Sequence, residues 1–332
     1  MRLALKALWL SAALIGVAAG ATTYNASTRA TQAEQDFPPT GKFVTTSVGR
    51  VHYVQQGSGP HIVLLHGAGG NLREFTFDLM GRLTDRYTVT AFDRPGLGYT
   101  DRLPGIDPGT FSTTAEGPRE QAQMLREAAN MLGIADPVVL GHSFGGIVAY
   151  AWAVEGLDTP SPADAAAIVS LAGVTLPWPG DLGAYYTLNG SRFGGLVTTP
   201  LISAFVPDTR VQQGINGIFA PQVPPTGYAD HIGAPLSLRL DSFRANIRQV
   251  NTLRPEVVKL ATRYPELTLP VEILHGTADT TVPITVHAEP FSQIVSSANV
   301  MALDGVGHMP HHADPDATIA AIDRAAARAQ SR

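Results

Sequence analysis

Apolar positions along this chain fall into two periodicities. Short β-type runs, most of them rich in Val, Ile and Leu, occur at 43–47, 51–55, 61–65, 88–92, 137–141, 166–171, 271–275 and 298–303, and each reads as a β-strand. Between the later runs lie amphipathic or alanine-rich stretches of helical length, at about 72–83, 116–132, 144–155, 284–295 and 315–329. The first two strands are close enough to form a hairpin. The rest alternate strand and helix, which predicts a mostly parallel sheet of eight strands covered on both faces. One interval breaks the alternation. Residues 176–255 separate the sixth and seventh strands and carry many Gly and Pro residues, eight aromatics and no strand-like run, so they are expected to form an inserted lid. Gly194-Gly195 and Pro224-Pro225-Thr226-Gly227 mark expected hinges or turns within it.

The N-terminus has a different pattern. Arg2 and Lys6 precede the apolar run Ala7 to Ala19, and Ala19-Gly20-Ala21 has the small-x-small form of a signal-peptidase site. Residues 1–29 therefore read as a signal peptide or an uncleaved membrane anchor, and the uncharged stretch to Thr28 is what keeps the anchor open. In both cases positive charge at the start holds the N-terminus in the cytoplasm, so the remainder is expected outside the cytoplasmic membrane. The polar stretch ending in Phe37-Pro38-Pro39-Thr40-Gly41 makes residues 30–42 an expected linker. The folded core is then expected at 43–175 together with 256–332.

Composition narrows the chemistry. With 44% hydrophobic and 15% charged residues the chain can bury a large core, unlike a disordered polypeptide. Its 23 basic and 28 acidic residues are dispersed, leaving no basic stripe to track a nucleic-acid backbone. The chain has no cysteine, which removes disulfides, thiolate nucleophiles and zinc-cysteine sites.

The strongest chemical signal is Gly141-His142-Ser143-Phe144-Gly145, which joins the apolar strand Val138-Val139-Leu140 to a small-residue helix. A turn that sharp lifts the serine hydroxyl above the sheet, and only glycine leaves room for the backbone passing beside it. A serine needs a base to take its proton, and the base needs a carboxylate to fix its tautomer. Both are expected after later strands. Asp279 follows the strand Val271-Glu272-Ile273-Leu274, and His308 follows Val300-Met301-Ala302-Leu303, giving the chain order Ser, Asp, His. Asp304, four residues before His308, is a competing acid. His308, His311 and His312 form a histidine cluster, but no helical H-E-x-x-H and no accompanying carboxylate set appears, so no metal is expected. His66 precedes Gly67-Ala68-Gly69-Gly70, a loop whose amides can face a developing oxyanion, with Ala68 and Phe144 as donors and His66 as support. Phe92-Asp93-Arg94-Pro95-Gly96-Leu97-Gly98 completes no nucleotide-binding motif and reads as a structural loop, so no cofactor is expected.

Together with Val51-His52-Tyr53, Gly57-Ser58-Gly59-Pro60 and His275-Gly276-Thr277-Ala278-Asp279, these motifs resemble the α/β-hydrolase superfamily over about residues 43–325, and in particular its lid-bearing serine hydrolase branch. That branch holds esterases, carbon–carbon bond hydrolases, haloperoxidase-like enzymes and epoxide hydrolases. The resemblance implies a triad of Ser143, Asp279 and His308 and an oxyanion hole of the Ala68 and Phe144 amides. Epoxide hydrolases and haloalkane dehalogenases carry Asp at the nucleophile position, so Ser143 speaks against both activities. The expected reaction is cleavage of an ester-like bond in a small to medium apolar substrate through an acyl-enzyme. Diketone hydrolysis by the same triad is the alternative, and a non-catalytic ligand-binding module is a third reading.

Overall fold

A computed structural model describes residues 2–331. Eight strands form one sheet: β1 (Lys42–Thr46), β2 (Gly49–Gly57), β3 (His61–Leu65), β4 (Thr88–Phe92), β5 (Val138–His142), β6 (Ala167–Leu171), β7 (Val271–Gly276) and β8 (Ala298–Leu303). Their spatial order is β1-β2-β4-β3-β5-β6-β7-β8. β1 pairs antiparallel with β2 and β2 with β4, while every later pairing is parallel. All eight coincide with the predicted runs to within a few residues.

Period-two alternation divides the core. Val63, Leu65, Val139, Ile168 and Ile273 face one side, and Ile62, Leu64, Leu140, Val169 and Leu274 face the other. Both faces are buried, so the central strands read as unbroken apolar runs rather than as polar–apolar alternation.

Helices supply the two covering layers. From the N-terminus they are α1 (Arg2–Asp36), α2 (Arg73–Thr76), α3 (Leu79–Leu83), α4 (Pro118–Met131) and α5 (Phe144–Asp158). The insertion after β6 holds α6 (Gly183–Asn189), α7 (Thr199–Phe205), α8 (Asp208–Phe219), α9 (Tyr228–His231), α10 (Ala234–Ser237) and α11 (Leu240–Asn251), with α12 (Leu253–Ala261) leading back to the sheet. Then come α13 (Ala288–Ile294), α14 (Pro310–Ala313) and α15 (Pro315–Gln330). Residues of α4, α5 and α13 pack on the first face, and those of α3 and α15 on the second.

Two sequence boundaries meet structured segments. The segment 30–42 is not an exposed linker throughout: α1 runs unbroken to Asp36, and Ala26 and Ala33 are buried. It is held there by the lid, because Asn25 Nδ2 and Arg29 Nη1 donate to the carbonyls of Ala204 and Val206 at the end of α7 (2.8 Å each). A lid boundary at 255 falls inside α12, whose Leu253, Val257 and Leu260 belong to the sheet core. Gly194-Gly195, expected as a hinge or turn, forms a turn that is closely packed. Both residues are buried in a π-helical turn (Gly194–Thr198), where a Cβ would lie 2.1 Å from Leu188 O or 2.2 Å from Thr110 O.

Candidate active site

Ser143 sits between β5 and α5 with φ 54° and ψ −117°, a conformation that L-residues avoid. The turn is held closed by its glycines. A Cβ on Gly141 would be 2.1 Å from Gly145 O, and one on Gly145 would be 2.0 Å from Leu65 O. Backbone bonds from Ser143 N to Leu171 O (3.0 Å) and from Val174 N to Ser143 O (3.1 Å) tie the turn to the end of β6.

The other two residues reach the serine from loops after β7 and β8. His308 Nε2 lies 2.9 Å from Ser143 Oγ, and His308 Nδ1 lies 2.7 Å from Asp279 Oδ2. All three side chains are buried. Asp279 Oδ1 also accepts from Thr281 N (2.8 Å) and Val282 N (2.9 Å). Burial alone would push the Asp279 carboxyl up, yet hydrogen bonds from His275 and His308 outweigh it and hold the group well below the usual carboxylate range. The acid is therefore a fixed anion beside Nδ1, which leaves Nε2 facing the serine as the acceptor. Asp304 is excluded by position: it is exposed, and its Oδ1 accepts from Thr277 Oγ1 at 3.2 Å.

The loop after β3 carries one of the two amides expected to face an oxyanion. Among the described residues, the Ala68 and Phe144 amides donate to no protein acceptor, whereas the neighbouring Gly69 N is taken by Asn246 Oδ1 (2.6 Å). His66 Nδ1 donates to Gly67 O (2.9 Å), and Nε2 accepts from Arg94 N (3.0 Å). That assignment needs a neutral ring, and burial together with the Arg94 charge pushes His66 down to about 4.

Arg94 is the residue that sequence reading underrated. Its fully buried guanidinium donates to His66 O (2.8 Å), Gly67 O (2.9 Å) and Gln121 Oε1 (2.8 Å), and lies 4.3 Å from the centre of the Phe144 ring. Burial without a carboxylate in contact pushes it down to about 9. The loop read as merely structural thus carries the brace for both proposed donors, and only the position of Arg94 straight after a buried strand hinted at this.

The histidine cluster also gains a partner invisible locally. Glu74, from α2, places Oε1 2.9 Å from His311 Nε2 and 2.7 Å from His312 Nε2, and its Oε2 accepts from Tyr228 Oη of the lid. The three ligand-type side chains converge within 4.8 Å, so the carboxylate that the sequence pattern lacked is present in space. Hydrogen bonding already satisfies it. Burial would raise Glu74, but its bonds to the two imidazoles keep it well below its ordinary value, while burial pushes His311 down to about 4. This carboxylate, held between the two imidazoles, braces the loop behind His308. His142 adds a second brace, with Nε2 3.0 Å from His308 O.

Residues 62–321 match the sequence profile of the Alpha/beta hydrolase family. The chain belongs to that family. An uncharacterized protein of Mycobacterium tuberculosis is 29% identical to this hydrolase over 300 residues, covering 86% of this chain and 81% of its own. Among solved structures, a thermophilic esterase from Thermogutta terrifontis superposes with a TM-score of 0.67 at 18% identity, over 87% of this chain and 99% of that one. A membrane phospholipase A, described as a bacterial virulence factor, superposes over the whole of both chains with a TM-score of 0.61 at 20% identity. At these identities the two structures establish shared architecture.

Proposed function

We propose that this α/β hydrolase is a serine hydrolase that cleaves ester-like bonds of small to medium apolar substrates. The observation that carries the proposal is the Ser143–His308–Asp279 relay, with two unspent amides beside the nucleophile. In the proposed cycle His308 Nε2 takes the Ser143 proton as Oγ attacks the acyl carbon. The Ala68 and Phe144 amides hold the tetrahedral oxyanion, and His308 returns the proton to the departing alcohol. Water, activated by the same imidazole, then releases the acid. Asp279 stays ionised throughout and stabilises the imidazolium as it forms.

The test is a panel of nitrophenyl esters of increasing chain length, run beside a vinylogous diketone. Turnover of short and medium esters that vanishes in Ser143→Ala supports the proposal, whereas diketone turnover without ester turnover contradicts it.

We further propose that the chain is held on the outer side of the cytoplasmic membrane by its N-terminal segment 1–29, most of which lies in α1. Support comes from the length and apolar character of α1, none of whose apolar window is buried, and from the seating of its second half on the lid. Activity in the soluble cytoplasm of the native host would contradict this location. Retention in membranes after a salt wash supports an anchor over a cleaved leader.

A further inference from the structure

The lid carries an apolar surface whose place is set by α1. Phe193, Leu196, Leu201 and Phe205 are 59%, 51%, 44% and 51% exposed, although each is a large apolar side chain. The stretch Gly194–Phe205 contains no charged residue and is itself a short apolar helix. Charge returns at its two ends, with Arg192 on one side and Asp208 on the other, both exposed. Scattered exposed apolar residues need no explanation, but four along one helical stretch with polar ends form the pattern of an interfacial helix.

Its depth follows from its neighbour. The end of α7 is fixed against Asn25 and Arg29 by hydrogen bonds to Ala204 O and Val206 O. A groove of about 1150 Å³ between them is lined by Ile15, Ala19 and Thr22 of α1 and by Leu196, Pro200 and Leu201 of the lid, and elsewhere by charged side chains of the core and α11. A bilayer's hydrocarbon core takes about 20 helical residues. If Ala7 to Ala26, which follow Lys6, fill that length, the start of the lid helix lies beside the last turns of the span, inside the leaflet rather than above it.

We infer that Gly194–Phe205 lies in the non-cytoplasmic leaflet beside α1, occupied on its exposed face by lipid acyl chains, and that the hydrolase takes apolar esters from that leaflet. The inference rests on the anchored reading above. A lid set at this depth gives the substrate a route from the acyl layer, so the ester need not first enter water.

The absence of cysteine makes the test clean. Full-length Ile15→Cys, Leu201→Cys and Met131→Cys are each labelled with an environment-sensitive NBD dye and reconstituted in phosphatidylcholine vesicles with and without brominated acyl chains. Met131 is exposed on α4, away from the lid. The expected result is strong quenching by brominated lipid at 15 and 201 and none at 131. Quenching at 15 without quenching at 201 overturns the inference while leaving the anchor intact, and no quenching at 15 removes the anchored reading itself. A blue shift at 201 that grows with protein density and ignores brominated lipid assigns the face to a second copy and also overturns the inference. As a functional arm, Leu196→Glu with Leu201→Glu should lower hydrolysis of nitrophenyl decanoate, a medium-chain ester dissolved in vesicles, by about tenfold or more. Turnover of nitrophenyl acetate in water should stay within about twofold. Equal loss on both substrates, or on neither, contradicts the inference.

Discussion

The wall that carries the triad and the lid that covers it are built on opposite principles. In the wall, each reacting side chain leaves the C-terminal end of a parallel strand, and its neighbours are fixed by sheet register and by glycines that admit no Cβ. In the lid, short helices are held by side-chain contacts to distant segments, such as Asn25 and Arg29 on α7, Asn246 on the oxyanion loop and Tyr228 on Glu74. A site made by register tolerates little variation in its residues. A cover made by scattered contacts can change its surface without disturbing the chemistry, and this is where selectivity and membrane contact are proposed to reside.

The sharpest way to break this contrast is to move the acid. Asp279→Asn should lower kcat by about 10⁴-fold, because the amide cannot enforce the Nδ1–H tautomer, while Asp304→Asn stays within about twofold. Steady-state kinetics on one short ester decides it, and the reverse ranking would refute the assignment.

A second effect is expected in the pH dependence of stability. His66, His287 and His311 are buried and pushed down to about 4, chiefly by desolvation. Unfolded histidine titrates near 6.5, so below that value the unfolded chain binds protons that the folded chain refuses. Stability is therefore complete above about pH 6.5 and is lost as pH falls toward 4, by up to roughly 3 kcal/mol for each such ring. Urea midpoints between pH 8 and 4.5 measure this. A flat profile over that range contradicts the buried neutral assignment.

Removing the oxyanion brace should come next in size. Arg94→Met removes the donor to the His66 carbonyl and to Gln121 Oε1 and one of the donors to Gly67 O, and a loss of about 3 kcal/mol of stability is expected. The Ser143 acylation rate should also fall, since the loop bearing the Ala68 amide loosens. Unchanged melting together with unchanged acylation would show that the brace is dispensable.

Within the lid the contrast is between faces. Phe243→Ala, at a buried position of α11, should cost about 3 kcal/mol, whereas Phe193→Ala at the exposed face should lie within about 0.5 kcal/mol of wild type. Equal costs would mean that the apolar face is covered in the folded protein.

These differences track what the sequence made legible. Strand runs, the glycine-flanked serine and the order Ser143, Asp279, His308 were readable because each depends on local pattern: period-two burial, a turn that only glycine fits, and loops at strand ends. Glu74 was not readable, since it meets His311 and His312 from more than 200 residues away in sequence and only the packing of α2 against α14 brings them together. Arg94 was hidden for a related reason, because its value lies in carbonyls it reaches across the loop rather than in a motif of its own. The lid aromatics were read as one set, yet the fold divides them: Phe219, Tyr228 and Phe243 are buried, while Tyr185, Phe193 and Phe205 face outward. Composition carries no information about which way a side chain points on an irregular insertion, and the same limit hid the continuation of α1 through the expected linker.

The central claim is that Ser143 is a nucleophile activated by His308, and covalent labelling with a fluorophosphonate tests it most directly. Wild type should gain one adduct, mapped by peptide mass to Ser143, and the labelling rate in folded His308→Ala should fall by several orders of magnitude. An adduct on another residue, or labelling of His308→Ala at the wild-type rate, would contradict the account.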